Sequence, residues 1–561
     1  MSGGAGPAGT GGGLSTIAAG PSCVSTCSSD LKQVLCDGML MEECPGDLAC
    51  LNGGCSSDPC AAAAAAKGSF GCDFWALKPD VIQPVRGACF AAFVANTWSV
   101  PAHIDVTYKG QALPPSFIFL PQGQGKNLTY APYDPVAGLA PGQVATLFLA
   151  HDTQALGIDC PNAPAIDGPA GVNGTGFGHA FHIKADRPVV AYSMFPYGGG
   201  SAQATSASLL FPVSAWDDNY VAVSAFAKTQ TFGPGVPSLD ILAHEDGTQI
   251  ALLPGVAVVG GGGVASTPAN QPLIYSLNAG QFLQIAQVEE LTGSPIQSNK
   301  PVGVWGAASC LSVPADKNFC DSAHQQIPPV RALGSRYAAV RYRNRKSSNG
   351  QEEAPPWRLV GAVDGTQLAY KPFTPQGAPL TLALGEVAQF DSSGGFTVAS
   401  QDASHPFYFG QYMTGSEVFG GNEGDPEWVN IVPVDQYLSS YVFFTDPTYS
   451  ETNLVVIRSK NKATMTFDDV ELDCAGPLAN WQSLADDLEF TRIDLVTGDF
   501  ESVGNCSNGR HEMKSKSPFG VTVWGWGTLG LTPSTHDVSY AYPGGASVQI
   551  INEVVVPAIP D

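Results

Sequence analysis

Residues able to do chemistry are sparse and scattered along this chain. Nine His are spread over 561 residues, and the closest pair, His179 and His182, stands three apart. On a strand that spacing sends the side chains to opposite faces, so the pair does not read as a chelate. His244-Glu245-Asp246 has the composition of an acid–base or metal cluster, but it runs straight into Gly247-Thr248. Asp364-Gly365-Thr366 repeats that ending, so the shared Asp-Gly reads first as a hairpin turn. No phosphate-binding loop and no Gly-x-Ser-x-Gly elbow in a strand-to-helix setting is visible. Among 50 Asp+Glu no pair is singled out as glycosidase carboxylates. No catalytic, cofactor-binding or metal residue is therefore named. Calcium is conceivable for an acidic β-rich chain, but no EF-hand or alternating-Asp loop supports it.

Two strings form a candidate ligand patch. Arg341-Tyr342-Arg343-Asn344-Arg345-Lys346 is a positive run in an acidic chain, and Arg and Tyr favour interface hot spots. The rival reading is the solvated end of a strand. Trp524-Gly525-Trp526 has period two, which places both indoles on one face as a sugar-stacking platform would. Trp305 and Tyr408 hold matching positions in other strands, which favours core packing for the Trp pair.

Fourteen Cys set the compartment. Seven lie between Cys23 and Cys60, followed by Cys72, Cys89 and Cys160. Cys310 with Cys320 and Cys474 with Cys506 form two local pairs. Clustered cysteines with few large apolar neighbours read as disulfides that replace a core. Zinc is the alternative, since Cys23-x3-Cys27 and Cys50-x4-Cys55 have tolerable spacing, but the segment holds no His and no Cys-x2-Cys knuckle. Spacing leaves the pairing of the first ten open. Sequons at Asn127, Asn173 and Asn505 matter only on a glycosylating route.

Composition narrows the class. With 26 Lys+Arg against 50 Asp+Glu the net charge is −24, which argues against nucleic acid and anionic membrane as partners. The 64 Gly and 44 Pro disfavour a helical protein, while 44% hydrophobic residues can bury a core. No apolar stretch is long enough for a transmembrane helix. The start Met1-Ser-Gly-Gly lacks a signal peptide's basic and apolar regions. A missing leader is therefore expected for a disulfide-rich chain.

The elements that must position these residues are strands. Short β-branched and aromatic runs such as Phe90–Ala95 and Asn453–Arg458 alternate with Gly, Pro, Asn and Asp. Ala61–Ala66 suits a short helix or linker. Pro-Val, six residues and Tyr recur at Pro212–Tyr220, Pro329–Tyr337 and Pro433–Tyr441. A polar residue before a strand-opening Pro recurs at Pro188, Pro301, Pro406 and Pro518, and Gly-(Gln/Glu) at Gly142, Gly280 and Gly385. The period is about 110 residues, with an insertion in the first unit that holds Cys160 and Asn173. The expected fold is all-β, with four tandem β-sandwich-like repeats behind a small disulfide-rich module. A closed toroid or propeller of β units is the alternative. The boundaries are a flexible Gly-rich spacer over 1–22, the cysteine-rich module and Ala linker over 23–70, and β units over 71–212, 213–329, 330–433 and 434–561.

Several segments resemble a known family. Cys60-Ala61-Ala62 and Lys67–Trp75 are similar to the entry into the core domain of bacterial IgGFc-binding-type proteins. Lys300-Pro-Val-Gly-Val-Trp-Gly306, Cys310-Leu-Ser-Val-Pro314, Phe319-Cys320-Asp321 and His324-Gln-Gln-Ile-Pro-Pro329 resemble its most distinctive segment. Ser206–Pro212 and Glu245–Thr248 share its texture, and the likeness spans about residues 60 to 545. The family is named for an animal mucus-protein domain that binds the Fc region of IgG. Its bacterial members look secreted or surface-anchored, with a cysteine-rich stalk and typically a lipoprotein leader. No Fc-binding residue transfers by motif. The resemblance implies a non-catalytic extracellular or cell-surface binding or adhesion protein for a glycoprotein, glycan or protein partner. A secreted carbohydrate-active enzyme or module and a structural surface component are the alternatives.

Overall fold

A computed structural model describes residues 1, 23–229, 235–345, 352–419, 423–528, 530–531 and 538–558. Apart from Met1, the spacer read over residues 1–22 lies outside them. All fourteen cysteines are paired, so the zinc alternative is excluded. Three bridges, Cys23–Cys36, Cys27–Cys50 and Cys44–Cys55, hold a three-stranded sheet and a hairpin that bury few large apolar side chains. The alanine run is a helix, Pro59–Ala66. Asp58 caps it by accepting from Ala61 N at 2.9 Å, Pro59 stands where no donor is needed, and Lys67 ends it in the left-handed region at φ 47°. Cys60–Cys72 fixes this helix to the first strand of the β region.

That region is all-β and built of several sheets. Each unit is built on a long course that bends between two layers. These courses are Phe181–Met194, Pro295–Leu311 and Gly509–Trp526, and in the third unit the two halves Phe396–Ser400 and Phe407–Met413. Pro188, Pro301 and Pro518 lie inside these strands, not at their starts as the sequence suggests. The reason is the bend. The strand Pro295–Leu311 pairs with Asp217–Val221 and Thr248–Leu252 up to residue 302, then with Pro237–Ala243 and Asp321–Gln326 beyond it. A residue without N–H at the changeover removes no ladder bond that either layer needs.

The repeated Tyr secures this bend. Tyr220 Oη donates to Val302 O at 2.8 Å and accepts from Asp217 N at 3.1 Å. Tyr337 donates to Phe407 O at 2.5 Å and accepts from Gly334 N at 3.0 Å. Tyr441 donates to Phe519 O and accepts from Leu438 N at 2.9 Å. In each case the clamped carbonyl belongs to the residue after the marker proline. The Asp-Gly-Thr turns are corners too, and not the hairpins expected. Pro237–Ala243 and Thr248–Leu252 do not pair with each other; both run along the same bent strand. Gly247 at φ 66° and Gly365 at φ 73° make these corners, and Asp246 and Asp364 tie them to Ala279 N and Leu384 N, beside the Gly-(Gln/Glu) strands.

The units close into a ring, the arrangement held as the alternative. The innermost strands are Ala207–Leu210, Asp321–Gln326, Glu427–Asn430 and Ser539–Pro543, and each packs against the next around a central axis. A bridge between Gly68 and Ser547 joins the end of the fourth unit to the start of the first. Two segments serve units outside the boundaries read from sequence. Gly176–His179, in the first-unit insertion, pairs with Gln281–Ala286, and Val556 exchanges hydrogen bonds with Asn219. Cys89–Cys160 anchors that insertion.

The axis is filled by polar side chains. Gln325 Nε2 donates to Ala207 O, Trp428 O and Ala541 O at 2.8, 2.9 and 3.1 Å, one carbonyl from each of the other units. Beside it His324 is buried next to Ser193 Oγ, and burial pushes its pKa down to about 3. Gln325→Leu should destabilise the protein by about 2 kcal/mol or more, read from the denaturation midpoint, because buried carbonyls lose a donor. For His324 the unfolded chain takes up a proton below about 6.5 that the folded one refuses. Stability therefore falls as pH drops through that range. The stability difference between wild type and His324→Gln should shift by about 2 kcal/mol in favour of the variant between pH 7.5 and 5, measured by denaturation at each pH.

Candidate functional site

The Arg run and the Trp pair meet, but inside the protein. Trp524 and Trp526 are fully buried, and Tyr342 packs on both with ring centroids 4.7 and 6.0 Å away. Arg343 lies 4.7 Å over Trp526 and is paired with Asp494 at 2.5 Å and with Glu451. Arg341 pairs with Glu352 and donates to Ser393 O. Arg345, also buried, binds Glu353 at 2.5 Å and Thr414 O at 2.8 Å, while Tyr342 donates to the same Glu353. Burial, and then the Glu353 charge, push the Tyr342 hydroxyl well above its usual range. The run is thus neither an exposed patch nor a solvated strand end. Arginine forks and carboxylates from the third and fourth units satisfy each other at the seam. Lys346 lies outside the described residues. Trp305 and Tyr408 are likewise buried.

The histidine strings do not assemble a site either. His182 stacks on Trp75 at 3.9 Å and bonds Asp73 at 2.7 Å, while His179 belongs to the strand that pairs with Gln281–Ala286. His244 stands 3.6 Å from Glu245 and edge-on to Trp216. Asp473, Cys474 and His511 come together, but Cys474 is bonded to Cys506, so it offers no thiolate. Cys310 is bonded to Cys320.

A concave track lies where the stalk module, the first unit and the fourth unit meet. One part of it holds about 420 Å³ and is lined by Asp30, Lys32, Trp98, Tyr441, Arg510 and Glu512, among others. Lys32 Nζ sits 3.4 Å over the Trp98 ring and donates to Gly46 O, Leu48 O and Ser99 Oγ. Burial lowers its pKa, and Asp47 and Asp30 work against that. Asp47 locks the stalk in place, accepting from Trp98 Nε1 at 3.0 Å and twice from Arg187 at 2.8 Å. Arg510 pairs with Glu512 at 2.7 Å. Glu512 also borders a hollow of 310 Å³, which shares Glu471 and Lys514 with one of 500 Å³. Arg510, Glu512, Lys514 and Lys516 alternate along Gly509–Trp526, so they face the track together while His511 and Met513 point inward. Sequence reasoning missed this track. Its walls are some 400 positions apart, and the only local signal was the charged alternation over 510–516.

Residues 206–525 match the family model described as IgGFc binding protein, more than half of the chain. The chain belongs to the IgGFc-binding family. The match opens on the first inner strand and takes in the bent strands of the second, third and fourth units. The stalk module and most of the first unit lie outside it. No curated protein matches the chain. As a binding-domain family, it agrees with the reading of a binding protein. Removing the acidic partner at the Arg seam should cost stability: Glu353→Gln leaves Arg345 buried beside a neutral amide, and the denaturation midpoint should drop by the equivalent of about 3 kcal/mol.

Proposed function

We propose that this chain is a non-catalytic extracellular or cell-surface adhesion protein that holds a glycan of a glycoprotein partner along the track. The observation that carries the reading is the track itself: neighbouring hollows that share lining residues along one face of a strand, where Arg510, Glu512, Lys514 and Lys516 stand beside hydroxyl and amide groups. Extended saccharides need such shared donors and acceptors more than one deep apolar cavity. Glu512, at the centre of the track, pairs with Arg510 at 2.7 Å. Seven disulfides suit an oxidising location, and among the described residues no helix is long and apolar enough to cross a membrane.

The test is binding of the folded, oxidised protein to an array of neutral and acidic glycans, mucin-type glycoproteins and IgG Fc. Saturable binding to glycans or glycoproteins is expected. Lys514→Glu reverses an exposed charge on the track and Ser440→Trp fills the hollow of 420 Å³, so each should weaken binding by about tenfold or more. Silence of the folded protein on every glycan class, or binding that both variants leave unchanged, overturns the proposal. Binding confined to Fc would transfer the assignment to a protein partner.

A further inference from the structure

The strand that carries the track hides a titratable group beneath it. His511 stands between Arg510 and Glu512 on Gly509–Trp526, but its ring points inward and is almost fully buried. Both ring nitrogens end on oxygen. Nδ1 lies 3.1 Å from Asp473 Oδ1, and Nε2 lies 2.7 Å from the carbonyl oxygen of Ser507. A backbone carbonyl only accepts, so Nε2 carries a proton. Asp473 is an acceptor as well. Its Oδ1 takes the N–H of Cys474 at 2.8 Å, and its Oδ2 takes that of Glu512 at 3.1 Å. Burial opposes its charge, yet bonds from His511 and from these two amides hold the carboxyl below its usual range. Nδ1 therefore carries a proton too. Neutral imidazole has one N–H, so only imidazolium satisfies this arrangement.

The neighbouring strand Leu438–Thr445 holds no charged residue and turns Phe443 toward the ring, with centroids 5.7 Å apart. From the track side Arg510 approaches Asp473 at 3.8 Å and pairs with Glu512 at 2.7 Å. Asp473 thus stands between two cations, one beneath the track and one lining it. Its bonds also carry a mechanical link. Cys474–Cys506 joins the turn after Val470–Leu472 to the segment before Gly509. Asp473, His511 and Ser507 join the same two segments a second time, without a covalent bond. The turn and Glu512 both border the hollow of 310 Å³.

We propose that His511 is a proton-operated clip, which locks the Asp473 turn and the Ser507 segment to the track strand when charged and releases one of them when neutral. Loss of the proton to water leaves a lone pair facing either the Asp473 carboxylate or the Ser507 carbonyl, and that contact opens. The stabilisation is therefore present at low pH and is lost as pH rises. Because the disulfide still holds both segments, the wall loosens while the ring stays folded. If the track is the binding site, a clause that rests on the function proposed above, ligand is held more firmly at mildly acidic than at alkaline pH.

Nitrogen NMR of the full oxidised chain, with isotope-labelled histidine, tests the clip without any ligand. The His511 signal, identified by its loss in His511→Gln, should show both ring nitrogens protonated at pH 5.5 and one of them bare at pH 8.5. Asp473→Asn keeps the shape of the acceptor but not its charge, and it should move that titration to lower pH. Between the same two pH values the wild-type thermal midpoint should fall by about 2 °C or more relative to His511→Gln. A singly protonated ring at pH 5.5 overturns the proposal. So does a ring still doubly protonated at pH 8.5, since nothing then switches. Should His511→Gln not fold, the signal that Asp473→Asn displaces identifies the residue, and the same two outcomes decide. Absence of glycan binding at both pH values would count against the track as the binding site, and the NMR result on the clip would stand by itself.

Discussion

The bend in the central strand of each unit is the constraint on which the rest of this protein depends. A strand that passes from one sheet to another must change partners, and at the changeover the ladder cannot be complete. Here a proline removes the donor that would be stranded, and a tyrosine ties down the next carbonyl, at Tyr220, Tyr337 and Tyr441. Each Tyr hydroxyl also accepts a backbone N–H, so both sides of the hydroxyl are used and the phenol ring stays buried. The Asp-Gly-Thr corner carries the neighbouring strand round the same angle. Three motifs that look independent along the sequence are parts of one joint.

Given that joint, the ring follows from what each unit leaves uncovered. The second half of every bent strand pairs on one side with an inner strand, and the far face of that strand has only the inner strands of other units to pack against. Apolar packing alone would fix the distance between units but not their register. A polar group such as the Gln325 amide has few positions in which it is satisfied, and its bonds to the three other units define one. Ser206 Oγ donates to Glu427 while accepting from His324 N, so residues of three units share one network. The Arg341–Arg345 seam does the same between the third and fourth units at larger radius.

Period-two apolar runs and turn residues make the all-β class readable from sequence, because each is a local consequence of backbone geometry. Pairing partners are not. Nothing in Gly176–His179 announces that it completes the sheet of the next unit, and nothing in Arg341–Arg345 says that its carboxylates come from residues 352, 353, 451 and 494. Proline was read as opening a strand because its missing donor is harmless there. The bend supplies a second place where it is harmless, and that place exists only in three dimensions. For the Trp pair the sequence leaves a ligand patch and core packing side by side, and the structure buries both indoles, as it does Trp305 and Tyr408. The track stayed invisible because its walls are brought together only by ring closure.

That last point bears on what family membership can say about the ligand. The part of the chain covered by the match, from the first inner strand to the fourth bent strand, builds the joint and most of the ring. Of the track it supplies one wall, the strand bearing Arg510, Glu512, Lys514 and Lys516. The opposite walls come from Ser29–Lys32 in the stalk and Asn96–Ser99 in the first unit, both outside the match. The track can therefore differ in chemistry while the matched sheets stay the same, because its stalk and first-unit walls lie outside them. The shape of the track therefore depends on what the stalk and first unit bring to the fourth, and on the Asp47 contacts to Trp98 and Arg187 that hold the stalk in place.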